Sequence, residues 1–281
     1  MNVRYNFLTS SLLCASLLTL SGCQMTSILH PSEDVSVNEK ALEPVTDTAL
    51  NLDELQPVPV EASSTEHESK DAKPVPIDDL WQRIRMKFAL DVPDNARVNS
   101  QRNWYVSHPE YLERVGKRAE PFLHLIVEEI DRRGMPMEFA LLPIVESAFD
   151  PFAYSHGSAS GVWQFIPSTA RHYGLKIDWW YDGRRDVYAA TKAALDYLEA
   201  LHDYFDGNWL HALAAYNSGE GRVAAAIRRN KRKGEPTDFW HLDLPRETRA
   251  YVPKLLALAD ILANTDKYGI VWYPIENQPQ L

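Results

Sequence analysis

From residue 77 onward the sequence predicts an all-α fold. Three observations carry that expectation: apolar residues recur at intervals of three and four, glycines fall where those runs stop, and no convincing stretch alternates apolar and polar positions as a half-buried strand would.

The chain does not open on that domain. Met1 to Phe7 carry one positive charge, Arg4, and lead into an apolar stretch from Leu12 to Leu20 that is too short to span a bilayer. Residues 1–22 therefore read as an export signal. The signal ends in Leu20-Ser21-Gly22-Cys23, which resembles a lipobox: cleavage before Cys23 and a lipid on its sulfur are what that resemblance implies. An ordinary signal peptide with an incidental cysteine is the alternative. Gln24 follows, and in the sorting rule of Gram-negative lipoproteins the absence of aspartate there points to the inner, periplasmic leaflet of the outer membrane. Cys14 lies within the signal, so the mature chain would have no thiol pair for a disulfide.

Residues 23–76 are rich in Glu, Asp, Ser, Pro, Val and Thr and contain no Phe, Trp or Tyr. Such a segment cannot bury enough apolar surface to offset the entropy of ordering it, so it reads as a disordered tether between the lipid and the domain. From Ile77 the composition changes, with all eight tryptophans and all but one tyrosine in 77–281. That length is ample for a packed core. Val187, Ala190, Ala194, Leu198, Leu201 and Phe205 form one apolar stripe, and Tyr251, Leu255, Leu258 and Leu262 another. Gly134, Gly174, Gly207, Gly219 and Gly234 mark expected helix ends.

The formal charge of −10 becomes one unit more negative once Arg4 leaves, so electrostatic steering toward an anionic polymer is not evident. The basic run Arg228 to Lys233 suggests nucleic acid less than it suggests a solvated helix C-terminus, where the dipole favours cations. No nucleic-acid partner is expected. The histidines lack H-E-x-x-H or similar spacing, and neither a glycine-rich phosphate loop nor a nucleophilic serine elbow is present, so no metal or cofactor is expected.

One carboxylate stands out. In Phe139-Ala140-Leu141-Leu142-Pro143-Ile144-Val145-Glu146-Ser147-Ala148-Phe149 the acid sits on a predicted helix, with Leu141, Val145 and Phe149 aligned on its apolar face. Desolvation there would raise its pKa, as a general acid near neutral pH requires. Pro143 predicts a kink or break before it. Asp150, one turn on and followed by Pro151, reads as a turn or helix-end residue, whereas Asp178, Asp182 and Asp186 are candidates to approach the site from a loop.

Three further blocks follow: Gly161-Val162-Trp163-Gln164-Phe165-Ile166-Pro167, Ala215-Tyr216-Asn217-Ser218-Gly219, and Glu247-Thr248-Arg249-Ala250-Tyr251-Val252. With the Glu146-Ser147 pair, in this order and spacing, they resemble the family 1 lytic transglycosylases, whose catalytic domain has the goose-type lysozyme-like fold. The likeness covers roughly Ile77 to Tyr268.

The resemblance implies a peptidoglycan lytic transglycosylase with Glu146 as its one catalytic carboxylate. It implies that Ser147 hydrogen-bonds and orients the acid, that Tyr251 lies near its carboxyl group, and that Gln164, Phe165, Ile166, Tyr216 and Asn217 line the saccharide cleft. Plainer roles exist for several: Gln164 and Asn217 as backbone partners at helix ends, Tyr216 and Tyr251 as core aromatics. The implied partner is the glycan strand of the cell wall. Glycosidases normally use two carboxylates, so a hydrolytic muramidase is the alternative activity and a non-catalytic glycan-binding lipoprotein the alternative class. Chains of this kind often continue into small LysM repeats, yet this sequence ends at Leu281. Either it is a piece of a longer chain, or its lipid and cleft provide attachment to the wall.

Overall fold

The computed structural model describes residues 77–155 and 157–280; the signal, Cys23 and the acidic segment of residues 23–76 lie outside them. Ten α-helices and two short 3-10 turns make up the ordered elements, and no strand ladder occurs among the described residues, only isolated bridges. The helices are α1 (Leu80–Arg85), α2 (Ala96–Val106), α3 (Pro109–Arg133), α4 (Leu142–Ser147), α5 (Pro167–His172), α6 (Val187–Tyr204), α7 (Trp209–Ser218), α8 (Glu220–Lys233), α9 (Arg246–Ala263) and α10 (Thr265–Tyr268).

Their ends follow local chemistry. Asp79, Asn95, Asp186 and Asn208 cap α1, α2, α6 and α7 by accepting a backbone N–H of the first turn. Gly134 and Gly234 close α3 and α8 in the left-handed conformation, and Gly219 separates α7 from α8. The basic run forms the last turn of α8, where exposed cations meet the negative end of the dipole, although Asn230 within it turns inward to donate to the carbonyls of Pro236 and His241.

Helix α9 is the hub. Tyr251, Val252, Leu255, Leu256, Leu258, Ile261 and Leu262 are all buried, and the helix packs against α1, α2, α4 and α7. The stripe read along α6 is buried from Ala190 to Leu201, and Phe205 closes it as the C-cap.

The stripe around Glu146 departs from expectation. Met137–Leu141 is a 3-10 turn, Leu142–Ser147 a separate six-residue α-helix, and Ala148 and Phe149 both take positive φ. Leu141, Val145 and Phe149 therefore do not lie along one continuous helix. Pro143 falls in the first turn of α4, where its missing N–H costs nothing, so the break comes before it and not at it.

Candidate active site

Short α4 carries Glu146 to the wall of a cleft of about 620 Å³. Two consecutive left-handed residues end the helix, where Ala148 N–H donates to the carbonyl of Ile144 (3.2 Å) and Phe149 N–H to that of Pro143 (3.1 Å). This closure satisfies the last carbonyls without glycine, at a cost in backbone strain. Ser158 and Gln164, in the facing loop, also have positive φ, and of these four residues Gln164 is the one that lines the cleft.

The Glu146 carboxyl is half-buried and accepts a short hydrogen bond from the hydroxyl of Tyr251 on α9. Burial pushes its pKa up to about 7; the Tyr251 hydrogen bond opposes that rise, the negative charge of Glu247 adds to it, and Lys254 opposes it again. Tyr251 is 4% exposed, and burial together with the nearby Glu146 holds its hydroxyl protonated far into the alkaline range. Near neutral pH this pair has one carboxyl that readily gains or loses a proton and one hydroxyl that stays a donor.

The opposite wall is the loop from Ala153 to Ile166, folded back on itself. Ser160 N–H donates to Phe165 O (3.1 Å), Gly161 N–H to Ala153 O (3.0 Å), and the Gln164 amide to Gly161 O (2.9 Å) and Ala153 O (3.4 Å). Its anchor is Arg184, 5% exposed, whose guanidinium donates to the carbonyls of Ser158 (2.6 Å) and Phe165 (3.2 Å) while forming a two-point ion pair with Asp182. At Gly161, φ is +81° and an added Cβ would lie 1.8 Å from the Arg184 carbonyl oxygen, so only glycine fits. Beneath the loop, Trp163 is fully buried and its Nε1 donates to Thr191 on α6 (3.0 Å).

Gln164, Phe165, Ile166, Tyr216 and Asn217 all line the cleft beside Glu146 and Tyr251. Tyr216 donates to Trp163 O (2.9 Å), joining α7 to the loop, while Asn217 accepts from Thr248 (2.8 Å), joining α7 to α9. Ser147 behaves differently from the expectation. Its hydroxyl faces the carbonyls of Val162 (3.0 Å) and Pro143 (3.3 Å), and it bonds α4 to the loop instead of orienting the acid. Tyr251 takes the place at the carboxyl that Ser147 was expected to hold.

None of Asp178, Asp182 and Asp186 lines the cleft. Asp182 is occupied by Arg184, Asp178 accepts the N–H groups of Trp180 and Tyr181, and Asp186 caps α6. The additional cleft carboxylates are Glu220 and Glu247, in the first turns of α8 and α9, and Lys254 also lines the cleft. Their positions were unmarked in the sequence because acids in a first helical turn are explained by the dipole alone. Asp150 is a turn residue, accepting Phe152 N–H (2.9 Å).

Residues 125–239 match the family described as Transglycosylase SLT domain. This chain carries an SLT domain of the family 1 lytic transglycosylases. The membrane-bound lytic murein transglycosylase D of Escherichia coli strain K12 is 53% identical over 195 residues, covering 69% of this chain and 43% of that protein. The membrane-bound lytic murein transglycosylase F of Desulfosudis oleivorans is 32% identical over 143 residues, covering 48% of this chain and 30% of that protein. The chain thus spans less than half the length of either relative. The crystal structure of the 70 kDa soluble lytic transglycosylase of E. coli aligns at TM-score 0.43 and 20% identity over 63% of this chain and 32% of that one. Within the SLT domain match fall Glu146, the anchored loop and Tyr216, while Tyr251 on α9 lies beyond it.

Proposed function

We propose that this chain is a peptidoglycan lytic transglycosylase that cleaves the β-1,4 bond between N-acetylmuramoyl and N-acetylglucosaminyl residues. The observation that carries the reading is the Glu146 carboxyl in the cleft, raised to about pKa 7 and bonded by Tyr251. An acid poised at that value serves in both directions at neutral pH. Protonated Glu146 gives its proton to the glycosidic oxygen as the bond from that oxygen to C1 of the muramoyl residue breaks. The resulting carboxylate takes the proton of the C6 hydroxyl in the same residue, and O6 bonds to C1. The leaving strand departs with a free 4-hydroxyl, the other ends in a 1,6-anhydro ring, and Glu146 is protonated again. Attack from within the substrate requires no enzyme nucleophile and no held water.

Glu247 supports a second reading. It lines the cleft, and its charge acts on Glu146, so a two-carboxylate hydrolase is its natural competitor. Mass spectrometry of digested sacculi separates them: anhydro ends are expected, and products with only ordinary reducing muramoyl ends would replace the lyase with a hydrolase. Glu146→Gln should abolish turnover while leaving the fold intact.

The same proposal assigns residues 1–22 to a signal, residues 23–76 to a tether, and residues 77–281 to the catalytic domain, with a lipid on Cys23 holding the protein at the periplasmic leaflet of the outer membrane. The lipobox wording supports this, and the relatives described as membrane-bound agree with it. Incorporation of labelled fatty acid that disappears in Cys23→Ala is the expected outcome; label retained in that variant would refute the anchor.

A further inference from the structure

Between α5 and α6 the chain turns through a tight hairpin whose tip carries the two most exposed aromatic side chains among the described residues: Trp179 is 86% and Trp180 90% exposed. The backbone beneath them is fixed. Asp178 N–H donates to Tyr181 O (2.9 Å) and Gly183 N–H to Lys176 O (2.8 Å), while the Asp178 carboxylate accepts the N–H groups of Trp180 (2.8 Å) and Tyr181 (2.9 Å). The Tyr181 hydroxyl donates to Asp186 (2.8 Å), and Arg184 holds Asp182. A rigid turn therefore displays both indoles to water. Such a display forgoes much apolar burial, and contiguous exposed apolar surface of this kind marks an interaction site.

Three features choose the partner. The indole planes stand 90° apart with ring centres separated by 6.5 Å, so the pair forms a wedge and not a flat platform on which a sugar ring or an extended strand could lie across both. Charge at the hairpin balances: Lys176, Arg184 and Arg185 offset Asp178, Asp182 and Asp186, so a chain of net charge −10 presents here a locally neutral face that an anionic surface does not repel. Tyr181, 41% exposed, follows the pair, and indole and phenol groups join an apolar body to a polar edge, the combination that settles at the headgroup level of a bilayer.

We infer that the Trp179–Trp180 tip inserts into the headgroup region of a phospholipid bilayer, as a second contact beside the lipid on Cys23. It rests on the proposed anchor for proximity alone: holding the domain near one membrane raises the effective concentration of the tip there, so a contact too weak to act by itself is populated. Arg184 joins the hairpin, through Asp182, to the carbonyls of Ser158 and Phe165 in the loop facing Glu146. Engagement of the tip thus sets the orientation of the cleft toward the bilayer, which a lipid far back along the chain does not.

The test places the full chain, carrying its lipid, in vesicles of phosphatidylethanolamine and phosphatidylglycerol, with and without lipids brominated near the headgroup, and reads tryptophan fluorescence. Brominated lipid is expected to quench the parent, and the quenched part of the emission should vanish in Trp179→Ser/Trp180→Ser. Both side chains lie outside the core, so the double variant should melt as the parent does, and each single variant should lose part of the quenching. Equal quenching of parent and double variant would overturn the inference. So would a vesicle-bound parent whose emission brominated lipid leaves unchanged, in which case the anchor on Cys23 stands and the tip contact falls. If Cys23 carries no fatty acid, the anchor falls, and protein added to preformed vesicles decides the tip: quenching that depends on Trp179 and Trp180 upholds it, and its absence overturns it. Emission that responds through these two residues to soluble glycan or stem-peptide fragments, and not to lipid, would reassign the tip to the wall and also overturn it.

Discussion

At Glu146 burial, a hydroxyl and two formal charges pull one carboxyl in opposite directions, and each pull can be removed singly. Tyr251→Phe deletes the hydrogen bond that favours the ionised form, so the Glu146 pKa should climb above about 7 and the alkaline fall of kcat/KM should move to higher pH, with kcat down at least tenfold. Glu247→Gln deletes a negative neighbour and should move the same limb to lower pH. Profiles shifted in the same direction by both changes would mean that Glu146 does not govern that limb. Stability follows the same carboxyl. Folded Glu146 keeps its proton to about pH 7, whereas the unfolded chain releases it near 4.5, so the native state is disfavoured progressively as pH rises through that window. Glu146→Gln removes the penalty. Its unfolding free energy, read from thermal melts, should match that of the parent at pH 4 and exceed it at pH 8 by about 1–3 kcal/mol after allowance for partial exposure. A gap that does not grow with pH would contradict the assignment. Glu146, Tyr251 and Gln164 were legible in the sequence because family wording marks them. The direction of the Ser147 hydroxyl was not, since it depends on where a loop from residues 158 to 165 closes. Glu220 and Glu247 were missed because first-turn acids resemble helix-dipole partners, and Lys254 because its role is defined only by proximity to the carboxyl.

Two elements decide the shape of the cleft, and both are irregular. The first is α4, cut from its upstream turn and stopped by two strained residues. The same upstream turn is fastened by Glu138, fully buried, whose Oε1 accepts the N–H groups of Ala89 (2.8 Å) and Leu90 (2.7 Å); burial pushes its pKa up. The second is the loop facing Glu146, whose shape depends on Arg184. Arg184→Met should cost about 3–5 kcal/mol, because two loop carbonyls and the Asp182 carboxylate lose their partner, and activity should fall with the loop. Gly161→Ala, placing a carbon against the Arg184 carbonyl, should cost about 4 kcal/mol or more. Denaturant melts of both variants provide the check; a parent-like midpoint in either would show that the loop has another anchor. Periodicity revealed the long helices because α6 and α9 each bury one face over several turns. It misread α4, where six residues provide too few repeats to expose the break, and a loop fastened by an arginine from outside it leaves no periodic signal at all.

On the scale of the whole domain, helical class and the buried stripes were legible, since they follow from composition and spacing. The pairing of its two ends was not. Leu80 N–H donates to Ile275 O (2.9 Å), Asn277 N–H to Asp78 O (2.7 Å), the Asn277 amide to Ile77 O (2.8 Å), and the Trp81 indole to Tyr273 O (2.8 Å). Trp81 and Trp272 lie 4.8 Å apart, and Gly116 on α3 makes room for Tyr273, whose Cβ would stand 2.6 Å from any side chain added there. Closing a loop of about 200 residues to make these contacts costs on the order of 5 kcal/mol of chain entropy. The order in which the helices occur along the chain is thus separable from the arrangement they reach. Residues 77–280 rewired through a short linker from 280 to 77, and opened at the exposed Gly234 turn, should fold to the same cleft and retain activity. Activity measured on such a permutant would show whether the catalytic geometry belongs to the packing or to the direction in which the chain is read.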